Sequence, residues 1–314
     1  MLDFWQRRSI GRNVAGIALL GTAWLVVANM LWLIATAFGL SDAFAKEVTW
    51  VALGLTTLMV ARLFDGMPAS FTGLDLRWGP RELLSGGMLG GMMAAGAWGI
   101  VALWGDAEGT PPTIEWGTQG LGVWLLVLAI DAAGEEFLFR GYIFGRVVEI
   151  IGPVAATICS SLLFAVAHAS NPSVSTIGLV NIFLGGTFFS LCYLRTGSLW
   201  VAIGAHASWN IVLAKVLGVS VSGMGFGGSI LRTPASGPEW LSGGMFGPEG
   251  GVTATLVLIL GGVVLLTSSR FTPSPYAYAS LFHTIAKRQR ANPHTERVSE
   301  PVSPTTGGPG AMRL

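Results

Sequence analysis

Three short patterns of polar residues interrupt apolar stretches in the second half of the chain. They are Glu135-Glu136-x-x-x-Arg140, Phe164-x-x-x-His168 and His206-x-x-x-Asn210. Ionisable groups within apolar helices are expensive to insert in a membrane and are typical of functional sites. These residues are therefore the candidates for chemistry.

Helix geometry assigns the acids of the first pattern to different environments. Glu136 and Arg140 are four residues apart with the acid first, which is the favoured arrangement for an ion pair on a helix. Glu135 is rotated by about 100° from Glu136, so it need not share that arginine. Asp131 lies one turn before Glu135 on the same face. If both acids were dehydrated, the pKa of one would rise, and such a carboxylate can serve as a general base.

The residue types together suit hydrolysis of an amide. That reaction needs a base for water, hydrogen-bond donors for the oxyanion and an acid for the leaving amine. A glutamate can be the base, while imidazole and carboxamide groups can be donors. The sequence contains no GxSxG serine elbow, no HExxH zinc helix and no cysteine placed beside a base. Attack by an activated water is the mechanism that remains.

The composition excludes an ordinary soluble enzyme. Of 314 residues, 52% are apolar and 11% are charged, against about 25% charged residues in soluble domains. The 18 basic and 17 acidic residues give no indication of a nucleic-acid partner, and we expect none. The expected partner is the lipid bilayer, with the chain as a multi-pass protein of the cell membrane.

Apolar runs predict an all-α, polytopic transmembrane bundle with about eight spans. The predicted helices cover residues 13–38, 47–64, 83–104, 117–147, 152–170, 175–194, 198–218 and 250–269. Basic residues concentrate in alternate loops, which predicts that both termini are cytoplasmic. With these boundaries, His168 and His206 differ in depth by roughly 13 Å, which is difficult to reconcile with one site.

The chain is accordingly divided into six regions. These are a cytoplasmic N-terminus (1–12), N-terminal transmembrane helices (13–115), a catalytic transmembrane core (116–218), an external Gly-rich loop (219–249), the last transmembrane helix (250–269) and a disordered cytoplasmic tail (270–314).

Small-residue spacing at Gly86 and Gly90, repeated at Gly87 and Gly91, predicts close approach of two helices. The external loop is interpreted as a flexible connector, with a lid as the alternative.

The three patterns resemble the motifs of the CPBP intramembrane proteases. This family includes the type II CAAX prenyl endopeptidases and the bacteriocin-processing or abortive-infection proteins, and its motifs are EExxxR, FxxxH and HxxxN (or Asp). All three are present here in order, within residues 130–212. The resemblance implies a helical fold with a membrane cavity that reaches the cytoplasmic side, and endopeptidase activity on a peptide or protein substrate, which in some relatives is lipidated.

The resemblance also implies a role for each residue. Glu135 corresponds to the glutamate that activates water, and His168 to a histidine that helps to hold it. His206 and Asn210 correspond to the oxyanion-stabilising pair, and Glu136 and Arg140 to a supporting pair. The family was once named as metalloproteases, and a His, His, Glu set could bind zinc. We favour the mechanism without a metal cofactor.

Two other classes of function remain open at this point. Intramembrane Glu and His residues are also typical of proton-coupled transporters, but the two halves of the chain show no inverted repeat. A non-catalytic scaffold or immunity protein of the same fold is the other alternative. The intact motifs favour the enzyme, because a scaffold has no need for costly buried acids.

Overall fold

The computed structural model describes residues 10–66, 72–104, 113–114, 120–233 and 237–271. These ranges form a helical bundle. The helices are α1 (Ile10–Phe38), α2 (Asp42–Asp65), α3 (Gly79–Trp104), α4 (Leu121–Arg140), α5 (Tyr142–Ile151), α6 (Pro153–Ala167), α7 (Thr176–Thr196), α8 (Leu199–Ile211), α9 (Glu239–Ser242) and α10 (Val252–Thr267). A stretch of π-helix, Val212–Leu217, extends α8. Two-residue strands β1 (Thr113–Ile114) and β2 (Leu231–Arg232) pair antiparallel.

The all-α membrane fold predicted from the sequence is confirmed. Within the described ranges, five helices have the length and apolar composition to cross a membrane: α1, residues Phe44–Asp65 of α2, α3, α7, and α8 with its extension. The apolar helices α6 and α10 are shorter, and α4 carries the acidic motif. The number of crossings and the side of each terminus stay predictions, and the predicted tail lies outside the described residues beyond Phe271.

The predicted helix 117–147 is wrong in one respect, because it is two helices separated at Gly141. This residue leaves the helical conformation, with φ −77° and ψ −139°. A Cβ atom on Gly141 would lie 2.3 Å from the carbonyl oxygen of Phe137, so only glycine fits here without rearrangement. At this break α4 ends on Arg140 and α5 begins on Tyr142.

Close contact between α3 and α8 organises the centre of the bundle. A Cβ atom on Gly86 would lie 2.1 Å from the carbonyl oxygen of Val201, and one on Gly90 would lie 2.0 Å from that of Ala205. The backbones therefore touch directly. The close approach predicted from the glycine spacing is confirmed for this pair, and it places the His206 turn of α8 deep inside the protein.

A buried polar cluster attaches the N-terminal helices to the helix that follows the acidic motif. The Tyr142 hydroxyl donates to the Asp65 carboxylate over 2.6 Å, and the Arg146 guanidinium lies 3.7 Å from the same group. Both Asp65 and Arg146 are buried. Because Tyr142 begins α5, the cluster fixes the chain just after Arg140.

The segment between α8 and α10 does not have the character of a flexible connector over its described residues. Phe246 is 1% exposed, and Glu249 is also buried. Lys215, on the π-helical stretch, donates to the carbonyl oxygens of Phe226 and Gly227. The segment is folded against the bundle because buried side chains and backbone carbonyls hold it, which a Gly-rich composition alone does not indicate.

Candidate active site

Three helical elements bring the predicted residues together. Glu135, Glu136 and Arg140 occupy the last turns of α4. His168 is the first residue after α6, and its neighbour in space, His206, lies in the middle of α8. The predicted depth mismatch between the histidines is not found, since both Nε2 atoms lie within 4.0 Å of the same oxygen of Glu135.

Glu136 connects two of the motifs. Its Oε1 atom lies 3.2 Å from Arg140 Nη1 and accepts a hydrogen bond from His206 Nδ1 over 2.9 Å. Glu136 and Arg140 are both fully buried. The predicted pairing of Glu136 with Arg140 is therefore present, and the same carboxylate orients the imidazole of His206.

Arg140 has further partners that the motifs did not indicate. Its Nη2 atom donates to the carbonyl oxygen of Gly186 on α7 over 3.0 Å. Its guanidinium carbon lies 4.5 Å from the centre of the Phe164 ring, a cation–π contact with the second motif. A buried arginine needs such partners for its five N–H groups. Arg140 thus joins α4, α6 and α7 behind the site.

Glu135 faces both histidines. Its Oε2 atom lies 4.0 Å from His168 Nε2 and 3.9 Å from His206 Nε2. These separations exceed direct hydrogen bonds and are the range over which a bridging water is expected. Among the described residues, this buried oxygen has no hydrogen-bond partner. The three groups therefore converge on one small volume.

Hydrogen bonds on the far side of each ring define which nitrogen carries a proton. His168 Nδ1 lies 2.8 Å from the carbonyl oxygen of Phe164, and His206 Nδ1 bonds the Glu136 carboxylate. Both partners can only accept, so each Nδ1 is assigned as the donor. In the neutral imidazoles, each Nε2 then presents a lone pair towards Glu135.

Aromatic rings hold the two imidazoles in place. Phe189 on α7 stacks on His206 with ring centres 4.7 Å apart and an interplanar angle of 18°. Phe164 contacts His168 with ring centres 4.5 Å apart. Phe164 was part of a motif, whereas Phe189 was missed. No local pattern distinguishes it from the adjacent Phe188.

A cavity adjoins the two histidines. His168, His206, Phe164 and Phe189 form part of its wall. Asn210 is half-buried and is not part of that wall. Mutual contacts bring five of the six predicted residues together, namely Glu135, Glu136, Arg140, His168 and His206, whereas Asn210 lies one turn beyond His206 on α8.

Glu249 is a buried acid at this cavity that the sequence did not single out. Its carboxylate accepts from Trp209 Nε1 over 3.0 Å and from the Ser222 hydroxyl over 2.9 Å, and it also accepts from the Ser222 amide. Glu249 precedes α10 and lies outside the candidate spanning helices. Burial raises the pKa of its carboxyl above the usual value of 4.5. In the sequence, Glu249 is a single acid within a Gly-rich segment, and this pattern alone does not indicate a buried site residue.

Asp131 does not form a dehydrated acid pair with Glu135. Its carboxylate lies 2.8 Å from Lys46 Nζ and accepts from Trp50 Nε1 over 3.1 Å, both on α2. The condition for a coupled pair of acids is not met, because Asp131 already has a cationic partner.

As they stand, Glu135 and the histidines lie farther apart than the ligands of one tetrahedral zinc ion. Ligands of tetrahedral zinc, each about 2.1 Å from the metal, lie about 3.4 Å from one another. The 3.9 and 4.0 Å separations at Glu135 are longer. Within the described residues, no group of three or more His, Cys, Asp and Glu side chains is arranged to hold a metal ion. We therefore derive no step through a metal.

Comparisons with known proteins agree with the motifs. Residues 117–212 match the family model "Type II CAAX prenyl endopeptidase Rce1-like". Two similar proteins come from Bacillus subtilis (strain 168). "Uncharacterized protein YyaK" is 27% identical over 154 residues, which cover 46% of this chain and 48% of that protein. "Putative membrane peptidase YdiL" is 30% identical over 159 residues, which cover 44% of this chain and 62% of that protein.

The matched region thus spans between about half and three fifths of the length of these relatives. No solved structure matches the chain. The resemblance to the CPBP family predicted from the three motifs is confirmed over this region. With its apolar helices, the chain is a multi-pass membrane protein.

Proposed function

We propose that the protein is an intramembrane endopeptidase, which hydrolyses a peptide bond of a membrane-associated substrate with water activated by Glu135. The observation that carries this proposal is the placement of Glu135 Oε2 at 4.0 and 3.9 Å from the two imidazoles. A carboxylate and two imidazoles at this spacing can hold and deprotonate one water. The family match and the relative named as a membrane peptidase support the same class of reaction.

Proton counting assigns different roles to the histidines. A carboxylate and two neutral Nε2 atoms are three acceptors, whereas one water has only two protons to donate. One of the three groups must therefore carry a proton. His206 is the candidate, because the buried Glu136 carboxylate at its Nδ1 supplies a counter-charge. A proton on Nε2 makes His206 a donor for the oxyanion, and His168 remains the acceptor that holds the water.

The reaction then follows in two steps. Glu135 takes a proton from water as the water oxygen attacks the carbonyl carbon, and the C=O electron pair moves to the oxyanion beside His206. The tetrahedral intermediate collapses as the C–N bond breaks and Glu135 returns the proton to the leaving amine. The products are a carboxylic acid and an amine. In this proposal Asn210 is a second oxyanion donor, which requires its amide to turn towards the cavity.

The test compares wild type with Glu135→Gln, each at native abundance in the source cell, by mapping new peptide N-termini in membrane and cytosolic fractions. We expect termini that are present in wild type and lost in the variant, since general-base catalysis contributes roughly 10²–10⁴-fold. Asp131→Asn is the matched control. It removes a carboxylate one turn away on α4 and should retain the termini.

Identical termini in wild type and Glu135→Gln, with both proteins folded and inserted, would contradict the proposal. That result would favour a non-catalytic scaffold of the same fold. Proton-driven flux in vesicles that disappears in Glu135→Gln would instead favour a transporter.

We also propose that catalysis requires no metal cofactor. Purified enzyme should keep its activity after prolonged treatment with a strong chelator, and elemental analysis should find no stoichiometric metal. Activity that is lost on chelation and restored by zinc would contradict this part of the proposal without affecting the role of Glu135 in hydrolysis.

A further inference from the structure

Gly185 on α7 is a buried glycine that faces empty space. A Cβ atom built on it would meet no other heavy atom within 4 Å, although the residue itself is buried. Its neighbour Gly186 differs, since a Cβ there would lie 3.0 Å from Ser161 Cα. Protein interiors are close-packed, and glycine weakens a helix relative to alanine. Packing therefore does not explain a glycine at position 185.

The space beside Gly185 is the cavity whose wall includes the two candidate histidines. Gly185 belongs to its wall, together with His168 and His206. It lies one helical turn before Phe189, which stacks on His206 with ring centres 4.7 Å apart. Because residues four apart share one face of a helix, the missing side chain of Gly185 leaves room directly beside the reacting groups.

The rest of the wall favours an apolar occupant. Its apolar members include Met93, Ile182, Phe188, Ala254 and Leu258.

The polar members besides the histidines already bond within the protein. Trp209 and Ser222 donate to Glu249. Asn181 donates to the carbonyl oxygens of Glu249 and Gly251 and accepts from Thr255. Little hydrogen-bonding capacity is left for a polar ligand.

We propose that Gly185 sets the size of an apolar subsite that receives a large apolar group of the substrate next to the cleaved bond. The inference rests on the proposed endopeptidase function and adds a specificity determinant to it. The group is an amino-acid side chain such as Leu or Phe, or an alkyl chain carried by the substrate, since both present the same surface. A Cβ atom at position 185 meets no other heavy atom within 4 Å, so Gly185→Ala narrows the subsite without contacting Glu135 or the histidines.

The test uses full-length protein in lipid vesicles with a peptide library whose cleavage sites are read by mass spectrometry. One arm varies the residues around the cleaved bond from Ala to Leu and Phe, and a second arm carries S-alkylated cysteine at the same positions. The variants are Gly185→Ala and Gly185→Leu. Gly262→Leu on α10 is the matched control, because a Cβ there also meets nothing within 4 Å and Gly262 is not part of the cavity wall.

We expect wild type to prefer a large apolar group at one position beside the cleaved bond. Gly185→Leu should lower the ratio of kcat/KM for large over small groups at that position by at least tenfold, Gly185→Ala should lower it by less, and Gly262→Leu should leave it unchanged. If wild type prefers Leu or Phe more strongly, the apolar group is an amino-acid side chain; if it prefers S-alkylated cysteine more strongly, the group is an alkyl chain. A merely structural role of Gly185 would reduce all cleavage equally and leave this ratio constant.

An unchanged ratio in both Gly185 variants would overturn the inference and leave the endopeptidase proposal intact. If Gly185→Leu loses all cleavage, the result for Gly185→Ala is used instead. A ratio of kcat/KM for large over small groups that equals the wild-type ratio in Gly185→Ala would then overturn the inference. Absence of any cleavage that depends on Glu135 in wild type would overturn the proposed function, and the inference with it.

Discussion

At the scale of single residues, Arg140 is a motif residue whose contacts all lie within the protein core. It neutralises the buried Glu136, bonds the Gly186 carbonyl and lies over the Phe164 ring. Glu136 in turn orients His206. The contacts run from the fully buried guanidinium through Glu136 to the imidazole beside Glu135, so in the proposed mechanism Arg140 is a positioning residue.

We expect Arg140→Met to lower the free energy of unfolding by about 3–5 kcal/mol, because it removes the guanidinium that pairs with the buried Glu136 carboxylate. The double variant Glu136→Gln with Arg140→Met should recover a substantial part of this loss, because both members of the buried ion pair are then neutral. Denaturation in detergent micelles measures both. A double variant as unstable as Arg140→Met alone would show that the guanidinium acts through packing, not through charge.

The ionisation of Glu249 should make stability depend on pH. Burial raises its pKa above 4.5 in the folded protein, so the folded state binds the proton more tightly than the unfolded chain does. The contribution of this group to the free energy of unfolding therefore falls as pH rises from about 4.5 through the folded pKa, and it is constant above that.

We expect Glu249→Gln to show a flatter dependence of the unfolding temperature on pH across this window than wild type. The quantity to compare is the slope of unfolding temperature against pH. The absolute unfolding temperature is not suitable, because the amide also changes the hydrogen bonds with Ser222 and Trp209. Parallel curves for the two proteins would contradict the assignment.

At the scale of elements, the approach of α3 to α8 depends on individual glycines. Gly90→Ala would place a Cβ 2.0 Å from the Ala205 carbonyl oxygen, whereas the nearest contact for Gly91→Ala is 3.6 Å from Val212. We expect the first change to destabilise the protein by about 1–3 kcal/mol through overpacking. Gly91→Ala should be neutral or slightly stabilising. Equal unfolding temperatures for the two variants would contradict this packing.

The sequence predicted those parts of the site that depend on local spacing. The Glu136–Arg140 pair follows from a separation of four residues on one helix, and the close approach of α3 to α8 follows from the small residues at Gly86 and Gly90. Both are consequences of helix periodicity, which the sequence displays directly.

Long-range contacts could not be predicted in the same way. Phe189 and Gly186 contribute through their position on α7, which carries no motif, and Glu249 lies 40 residues after its partner Trp209. The break at Gly141 was also missed, since a single glycine inside an apolar run does not by itself specify the end of a helix. These features depend on which helices become neighbours.

At the scale of the whole molecule, the predicted orientation in the membrane is open to a direct measurement. In a protein with Cys159 and Cys192 replaced by Ala, a cysteine at Ser280 should be protected from membrane-impermeant reagents in intact cells, because the basic tail is predicted to be cytoplasmic. A cysteine at the exposed Trp240, in the predicted external segment, should react. If the cysteine at position 280 were labelled from outside and the one at position 240 were protected, the orientation would be the reverse of the predicted one.

The hydrogen bond between Glu136 and His206 has a consequence for how the protein is made. The two residues are 70 positions apart in sequence, so α4 leaves the ribosome carrying its acid well before the histidine exists. Arg140 is only one turn away and is synthesised almost simultaneously. Since α4 is predicted to enter the bilayer, Arg140 can neutralise Glu136 during insertion, when an unpaired charge would be most costly. We therefore expect Arg140 to assist membrane insertion before α8 is made, and to support the geometry of the site after α8 has packed against α4.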